Sequence, residues 1–345
     1  FISIKAKRIA CVVSAVIFVA TSCVSPLTGF AFWETNLAYE GESIYNYLQV
    51  KNLSDRTILS TNVLFGVQSV TMKDKGLTGM YYDTALAAPA LADNANSALI
   101  LGMGTGTYAR QLKQYYPKMN ITGVEIDQKI TDLAGEYFDE PADIPVTTYD
   151  GRAWLAASHD KYDVIMVDAY QDITIPFQMS STEFFTMVRE HLNPGGVMVV
   201  NMNMISDGQG SINEALSDTI ASVFGNGNTL TADVPNTTNR ELFAKKPGSG
   251  SEENSMQQAS KALNLRETTY ERTGSEDLEW YMEEVASRFR KVNEPDSAST
   301  ILTDDKAPVE VLGMHAIDQI IADEAGPYRQ ILKDEGFGGL LRAVQ

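Results

Sequence analysis

The chain has 345 residues, with 27 Lys and Arg against 45 Asp and Glu and a formal net charge of −18. That length allows one large or two modest domains, and the charge argues against nucleic acid as a partner because phosphate binding needs clustered Lys and Arg. An acidic chain suits a cationic small substrate as well as a plainly solvated surface.

The N-terminus differs from the rest. From Ile9 to Trp33 run 25 uncharged residues, preceded by Lys5, Lys7 and Arg8. About 20 apolar residues suffice to cross a bilayer, so residues 1–33 are expected to be a membrane anchor. A cleaved signal peptide with a small-x-small site at Gly29–Ala31 and the last helix of a longer membrane domain are the other readings. The first residue is Phe rather than Met, which leaves the true start of the chain open. Basic residues before the segment and Glu34, Glu40 and Glu42 after it place the globular part outside the cytoplasm, whereas a nucleoside cofactor is made inside, so the side is left open. Cys11 and Cys23 both lie in this segment, so the globular part has no disulfide or thiol nucleophile.

Residues 34–76 are expected to form a small antiparallel β domain. Tyr45, Tyr47 and Gln49 alternate with Asn46, Leu48 and Val50, and two further strand-like runs follow a turn near Asn52–Asp55. The next domain is residues 77–246, and within it residues 79–91 predict a helix leading into the first parallel strand.

That domain spells out a nucleoside site. ALILGMGTG (98–106), ITGVEID (121–127), TYDGR (148–152) and YDVIMVD (162–168) are each an apolar run ending in Gly or a carboxylate. Helix-length gaps between them predict parallel strands of an open α/β sheet, whose ligands sit at the carboxyl ends of the strands. Gly102, Gly104 and Gly106 allow a tight turn and close approach of backbone to ligand, and a helix from Thr107 to Tyr116 aims its N-terminal N–H groups at the same spot. Glu125, 19 residues after Gly106, is placed to accept ribose hydroxyls. Asp150, followed by Gly151, is placed to accept an adenine amino group. Asp168 ends the fourth strand at the same edge. Trp154 reads as a core residue more readily than as an adenine stack.

After Asp168 come an irregular stretch, a helix from Ser181 to Leu192, a turn at Asn193–Gly196, a fifth strand (VMVVNM), a helix near 211–223 and a hairpin of TLTADVP with RELFAKK. Residues 247–262 have linker composition, and residues 263–345 are helical and charged. His159, His191 and His315 show no metal-ligand spacing, so no metal is expected.

The order of β unit, glycine turn, strand-end acids and terminal hairpin resembles the spermidine synthase (polyamine aminopropyltransferase) family, in particular its bacterial membrane-anchored branch. The residues that carry the likeness are ESIYNYLQV (42–50), GVQSV (66–70), LTGMYYD (77–83), LILGMGTG (99–106), VEID (124–127), YDGR (149–152), YDVIMVDAYQD (162–172), EFF (183–185), LNPGGVMVVN (192–201) and LTDDKAPVE (302–310). The resemblance implies a Rossmann-like sheet of the class I methyltransferase type behind a small antiparallel β domain. It implies transfer of an aminopropyl group from decarboxylated S-adenosylmethionine to putrescine or a related amine, at the cell membrane, without nucleic acid, in a homodimer. By position it implies Gln49, Gly102, Gly104, Thr105, Gly106, Glu125, Asp150 and Gly151 at the nucleoside, Gln68, Tyr82 and Asp172 at the amine, and Asp168, Asp172 and Tyr82 in catalysis.

Two positions depart from the family pattern. Its glycine motif is G-G-G-D-G with an Asp for the cofactor's amine, where this chain has Thr105, and the DAYQD loop is one residue longer before its second Asp. Two other readings therefore stay open: a methyltransferase using S-adenosylmethionine on the same sheet, and a non-catalytic, membrane-tethered module that binds nucleoside or polyamine.

Overall fold

The computed structural model describes residues 4–22, 31, 34–62, 66–74, 76–139, 141–169, 175–203, 210–248, 262–296, 299–316 and 333. The chain divides into two compact units, Phe1–Asp74 and Lys75–Gln345.

The first unit opens with helix α1 (Ile4–Ser22). Its apolar side chains, among them Val12, Val16, Phe18 and Val19, are exposed. The expected membrane span is not found: among the described residues no helix is long and apolar enough to cross a membrane. Lys5, Lys7 and Arg8 occupy the first two turns of α1, and the uncharged remainder from Ile9 to Ser22 rises only about 21 Å at 1.5 Å per residue, against a hydrocarbon core of about 30 Å. The expected segment runs on to Trp33, but most of that continuation lies outside the described residues.

A four-stranded antiparallel meander follows, in the order β1 (Leu37–Glu42), β2 (Tyr47–Asn52), β3 (Arg56–Thr61), β4 (Ser69–Met72). Alternation along β2 puts Tyr47 and Gln49 on one face, where the Gln49 amide donates to the Tyr47 hydroxyl at 3.0 Å and that hydroxyl donates to Glu40 at 2.6 Å. Strand β1 is an addition to the predicted elements.

The second unit holds an eight-stranded sheet. Its strands are β5 (Ser97–Leu101), β6 (Asn120–Glu125), β7 (Val146–Thr148), β8 (Tyr162–Val167), β9 (Leu192–Asn203), β10 (Thr229–Asp233), β11 (Asn239–Lys245) and the two-residue β12 (Arg290–Lys291). The order across the sheet is β12-β10-β11-β9-β8-β5-β6-β7. Strands β5 to β9 pair in parallel, and β11 runs antiparallel between β9 and β10. This is the Rossmann-like sheet of methyltransferase type, with the expected hairpin as β10 and β11. The order turns back beside β5, between β6 and β8, which is where such sheets open a crevice.

Strands β8 and β9 are almost wholly buried, as parallel strands covered on both faces are. Leu99, Leu101, Ile165, Val167, Met198, Val200 and Leu242 pack with α6 (Gly151–Ala157), α7 (Thr182–His191) and α8 (Ile212–Phe224). The other face carries α2 (Tyr81–Ala85), α3 (Ala87–Leu91) and α4 (Thr107–Tyr115), backed by α9 (Ala262–Thr273) and α10 (Glu276–Ser287). Helix α5 (Gln128–Tyr137) covers β6 and β7.

Two local expectations change. The helix predicted over 79–91 is broken into α2 and α3. Pro89 has no N–H to give the Ala85 carbonyl, and the Tyr108 hydroxyl donates to that carbonyl instead, at 3.0 Å. The turn predicted at Asn193–Gly196 lies inside β9. Tyr162 pairs with Leu192 but Val164 with Val197, so the extra residues bulge out of the ladder. The linker expected over 247–262 falls mostly outside the described residues.

Candidate active site

Every strand end at the crevice carries a special residue, and the backbone fixes each one. After β5 the chain passes through Gly102, Gly104 and Gly106, all with positive φ. At Gly102 a side chain would collide with the Asp168 backbone, so glycine is required there by the closeness of two strand ends. Gly106 caps α4 in the left-handed conformation and, as glycine, makes no side-chain cap, so the helix N-terminus follows directly on the glycine turn at the crevice. Thr105 is fully buried.

Glu125 ends β6 and is buried. Its Oε2 accepts the Gly104 N–H at 2.8 Å and its Oε1 the Asp127 N–H at 3.0 Å. Burial raises its pKa, opposed by those backbone donors. A carboxylate accepts about four hydrogen bonds, so acceptor sites remain for a ribose. Asp150 caps α6, accepting the Ala153 N–H at 2.7 Å. Its neighbour Arg152 forms a two-point ion pair with Asp304, at 2.8 and 2.6 Å. The Ser181 hydroxyl, which caps α7, donates to the same carboxylate. This explains the LTDDKAPVE motif: it latches the rim of the crevice. Trp154 packs against the core.

Asp168 follows β8. The Tyr81 hydroxyl donates to its Oδ2 at 2.6 Å and the Asn201 amide to its Oδ1 at 3.0 Å. Asn201 in turn accepts from the Asn239 amide at 2.8 Å. Burial pushes the Asp168 carboxyl up to about 7, with the two hydrogen bonds opposing and the Glu125 charge adding to the rise. Tyr82 is buried with its ring 4.0 Å from that of Tyr81, so the tyrosine that meets Asp168 is Tyr81. Asp83 holds this turn in place: it is buried and accepts from the Thr78 and Gly79 backbones, the Thr78 hydroxyl and the Gln111 amide.

The structure thus brings together Gly102, Gly104, Gly106, Glu125, Asp150, Gly151 and Asp168 at one sheet edge. Gln49 is on β2 and Gln68 precedes β4, both in the first unit. Asp172 lies outside the described residues. Tyr81, Asn201 and Glu241 are additions. Glu241, on β11, is fully buried and neither carboxylate oxygen has a hydrogen-bond partner among the described residues. Among those residues no cluster of three or more His, Cys, Asp or Glu could hold a metal. His191 is bonded to the Met187 and Ser158 carbonyls.

Residues 80–246 match the spermine/spermidine synthase domain. A polyamine aminopropyltransferase of Corynebacterium efficiens is 37% identical over 131 residues, which are 34% of this chain and 25% of that protein. One from Vibrio vulnificus is 28% identical over 209 residues, 58% of this chain and 69% of that protein. The chain therefore spans only a quarter of the first of these relatives. Among solved structures, a probable spermidine synthase from Corynebacterium glutamicum shares the fold, with a TM-score of 0.55 and 22% identity, over 77% of this chain and 99% of that one.

Proposed function

Residues 80–246 form a spermine/spermidine synthase domain, and from that premise we propose that the protein is an aminopropyltransferase that moves an aminopropyl group from decarboxylated S-adenosylmethionine to putrescine or a related diamine. The observation that carries the reading is Asp168. It is a half-buried carboxyl raised to about 7 beside the glycine turn, poised to hold an ammonium and to accept a proton near neutral pH.

The chemistry follows from the residues. The nucleoside lies over the glycine turn, with Glu125 on the ribose and Asp150 at the base. The amine nitrogen attacks the methylene beside the sulfonium. The C–S bond breaks, its electrons stay on sulfur and methylthioadenosine leaves. The new C–N bond forms as the nitrogen loses a proton, which Asp168 or Asp172 takes. Positioning of the two reactants supplies much of the rate. Incubating the protein with decarboxylated S-adenosylmethionine and putrescine tests this: spermidine and methylthioadenosine should appear in equal amounts, and their absence with every diamine tried removes the reading.

One observation favours a second reading. Thr105 is neutral and fully buried, so it offers no anion to an aminopropyl ammonium. A methyltransferase using S-adenosylmethionine is the alternative, recognised by S-adenosylhomocysteine as the product.

We also place the chain at a membrane, supported by the exposed apolar side chains of α1. Recovery with membranes that is lost on deleting residues 1–33 is the expected result, and a full chain that stays in solution rejects it.

A further inference from the structure

Strand β11 turns three residues toward α2 and α3: Glu241, Phe243 and Lys245. All are buried. Two of the three are satisfied. Phe243 packs edge-on to Phe289, with ring centroids 5.7 Å apart. The Lys245 ammonium donates to the Leu91 carbonyl at 2.9 Å and to Asp93 at 2.7 Å. Glu241 is the exception. Its two oxygens are sealed from solvent with no hydrogen-bond partner among the described residues. Lys245 is four residues away, about 13 Å along a strand, and already engaged.

The surroundings of Glu241 point to the active site. Its cross-strand partner on β9 is Asn201, whose amide donates to Asp168, so Glu241 stands behind Asp168 on the same face of the sheet. The ionisable groups that bear on the pair are Tyr81 on α2 and Glu125 at the end of β6, which act on Asp168, and Asp168 itself, which acts on Glu241; Tyr108 on α4 feels the Glu241 charge in turn. On its other side β10 contributes Ala232. Every charged group in this set is negative, and no Lys, Arg or His among the described residues offsets either carboxyl.

We propose that Asp168 and Glu241 together form a proton-exchanging site for an alkylammonium ion, in which Glu241 keeps a proton while the site is empty and gives it up when a cation binds at Asp168. Two carboxylates in a buried, cation-free setting repel one another, so one of them stays neutral. Burial and the Asp168 charge both raise the Glu241 pKa, well above the ordinary value. A cation at half-buried Asp168 supplies the missing counter-charge, Glu241 ionises and its proton leaves to solvent. This site rests on the diamine reading proposed above, with Glu241 acting through Asp168 as a positioning residue.

The probe is putrescine, titrated calorimetrically near pH 8 in two buffers of different ionisation enthalpy. About one proton should leave per diamine bound in the parent protein and about none in Glu241→Gln, with binding retained. Infrared difference spectra of the unliganded proteins at the same pH, where Asp168 is ionised, should show a protonated-carboxyl band in the parent that Glu241→Gln lacks. In Asp168→Asn, which removes the charge that holds Glu241 neutral, the band should weaken; an unchanged band there overturns the coupling, and this arm needs no change at 241 should Glu241→Gln fail to fold. Equal proton release in parent and Glu241→Gln, or no protonated-carboxyl band in the parent, overturns the proposal and leaves the transferase reading standing. Putrescine that does not bind at all overturns it together with the acceptor assignment. Binding with the expected proton release but no transfer product supports the site and removes the transferase reading instead.

Discussion

The Glu125 carboxylate accepts the Gly104 N–H at 2.8 Å, so the acid at the end of β6 also holds the glycine turn after β5. The residue expected to meet the ribose therefore shapes the loop on which the nucleoside lies.

Replacing it should act on both. Glu125→Ala is expected to stay folded but to lose methylthioadenosine affinity by about tenfold to 150-fold, the equivalent of roughly 1.5–3 kcal/mol for hydrogen bonds to a charged group. Calorimetric titration with circular dichroism as the folding control reads this. Unchanged affinity would take Glu125 out of the site.

Asp168 predicts a pH dependence with a definite sign. A base must be ionised to accept a proton, so kcat/KM should rise with pH through about 7. Stability runs the other way. The folded pKa lies above the ordinary carboxylate value, so this group's contribution is present in full below about pH 4 and is lost as the pH rises through about 7. The Tyr81 hydrogen bond lowers the Asp168 pKa. Tyr81→Phe should therefore move the rate midpoint upward, and a midpoint that moves down or not at all would separate Tyr81 from the base.

Asp172 and Asp168 compete for the role of base. Asp172→Asn is expected to cut the transfer rate by about 10²–10⁴-fold while leaving methylthioadenosine affinity nearly intact. Full activity in that variant, with the loss appearing in Asp168→Asn, assigns the proton to Asp168.

The latch at the rim gives a milder prediction. The Arg152 guanidinium holds the Asp304 carboxyl below its usual pKa, so the stabilisation is present above the ordinary carboxylate range and fades as the pH falls through the lowered value. Because the pair is partly exposed, Asp304→Ala should cost about 1 kcal/mol or less in denaturant unfolding. Its larger effect should be a raised KM for the nucleoside, because α6 begins beside Asp150. An unchanged KM would make the latch purely structural.

How much of this could be read beforehand depended on the kind of signal. The parallel strands were legible because each is an apolar run closed by a glycine or an acid, and the acids at their ends fell where the sheet opens. Strand β1 was not, because Glu40-Gly41-Glu42 has no apolar alternation and its pairing is supplied by β2. The Asn193–Gly196 turn was legible as a turn but not as a bulge inside a strand, which is a property of the ladder. The resemblance pointed to Tyr82, and only the fold shows that it is the neighbouring Tyr81 whose hydroxyl meets Asp168. Glu241 gave no signal at all. In RELFAKK it alternates like a solvent-facing residue of an edge hairpin, and only the covering by α2 and α3 buries it.

The pairing of Arg152 with Asp304 spans 152 residues of sequence. On a ribosome moving at about 5–20 residues per second, Asp304 is made roughly 8–30 s after Arg152. For that interval a nascent chain can hold the glycine turn, Glu125 and Asp168 on a growing sheet, yet the rim of its crevice has nothing to close on. The order of manufacture thus leaves the latch until near the end, and any product of premature termination before residue 304 lacks it.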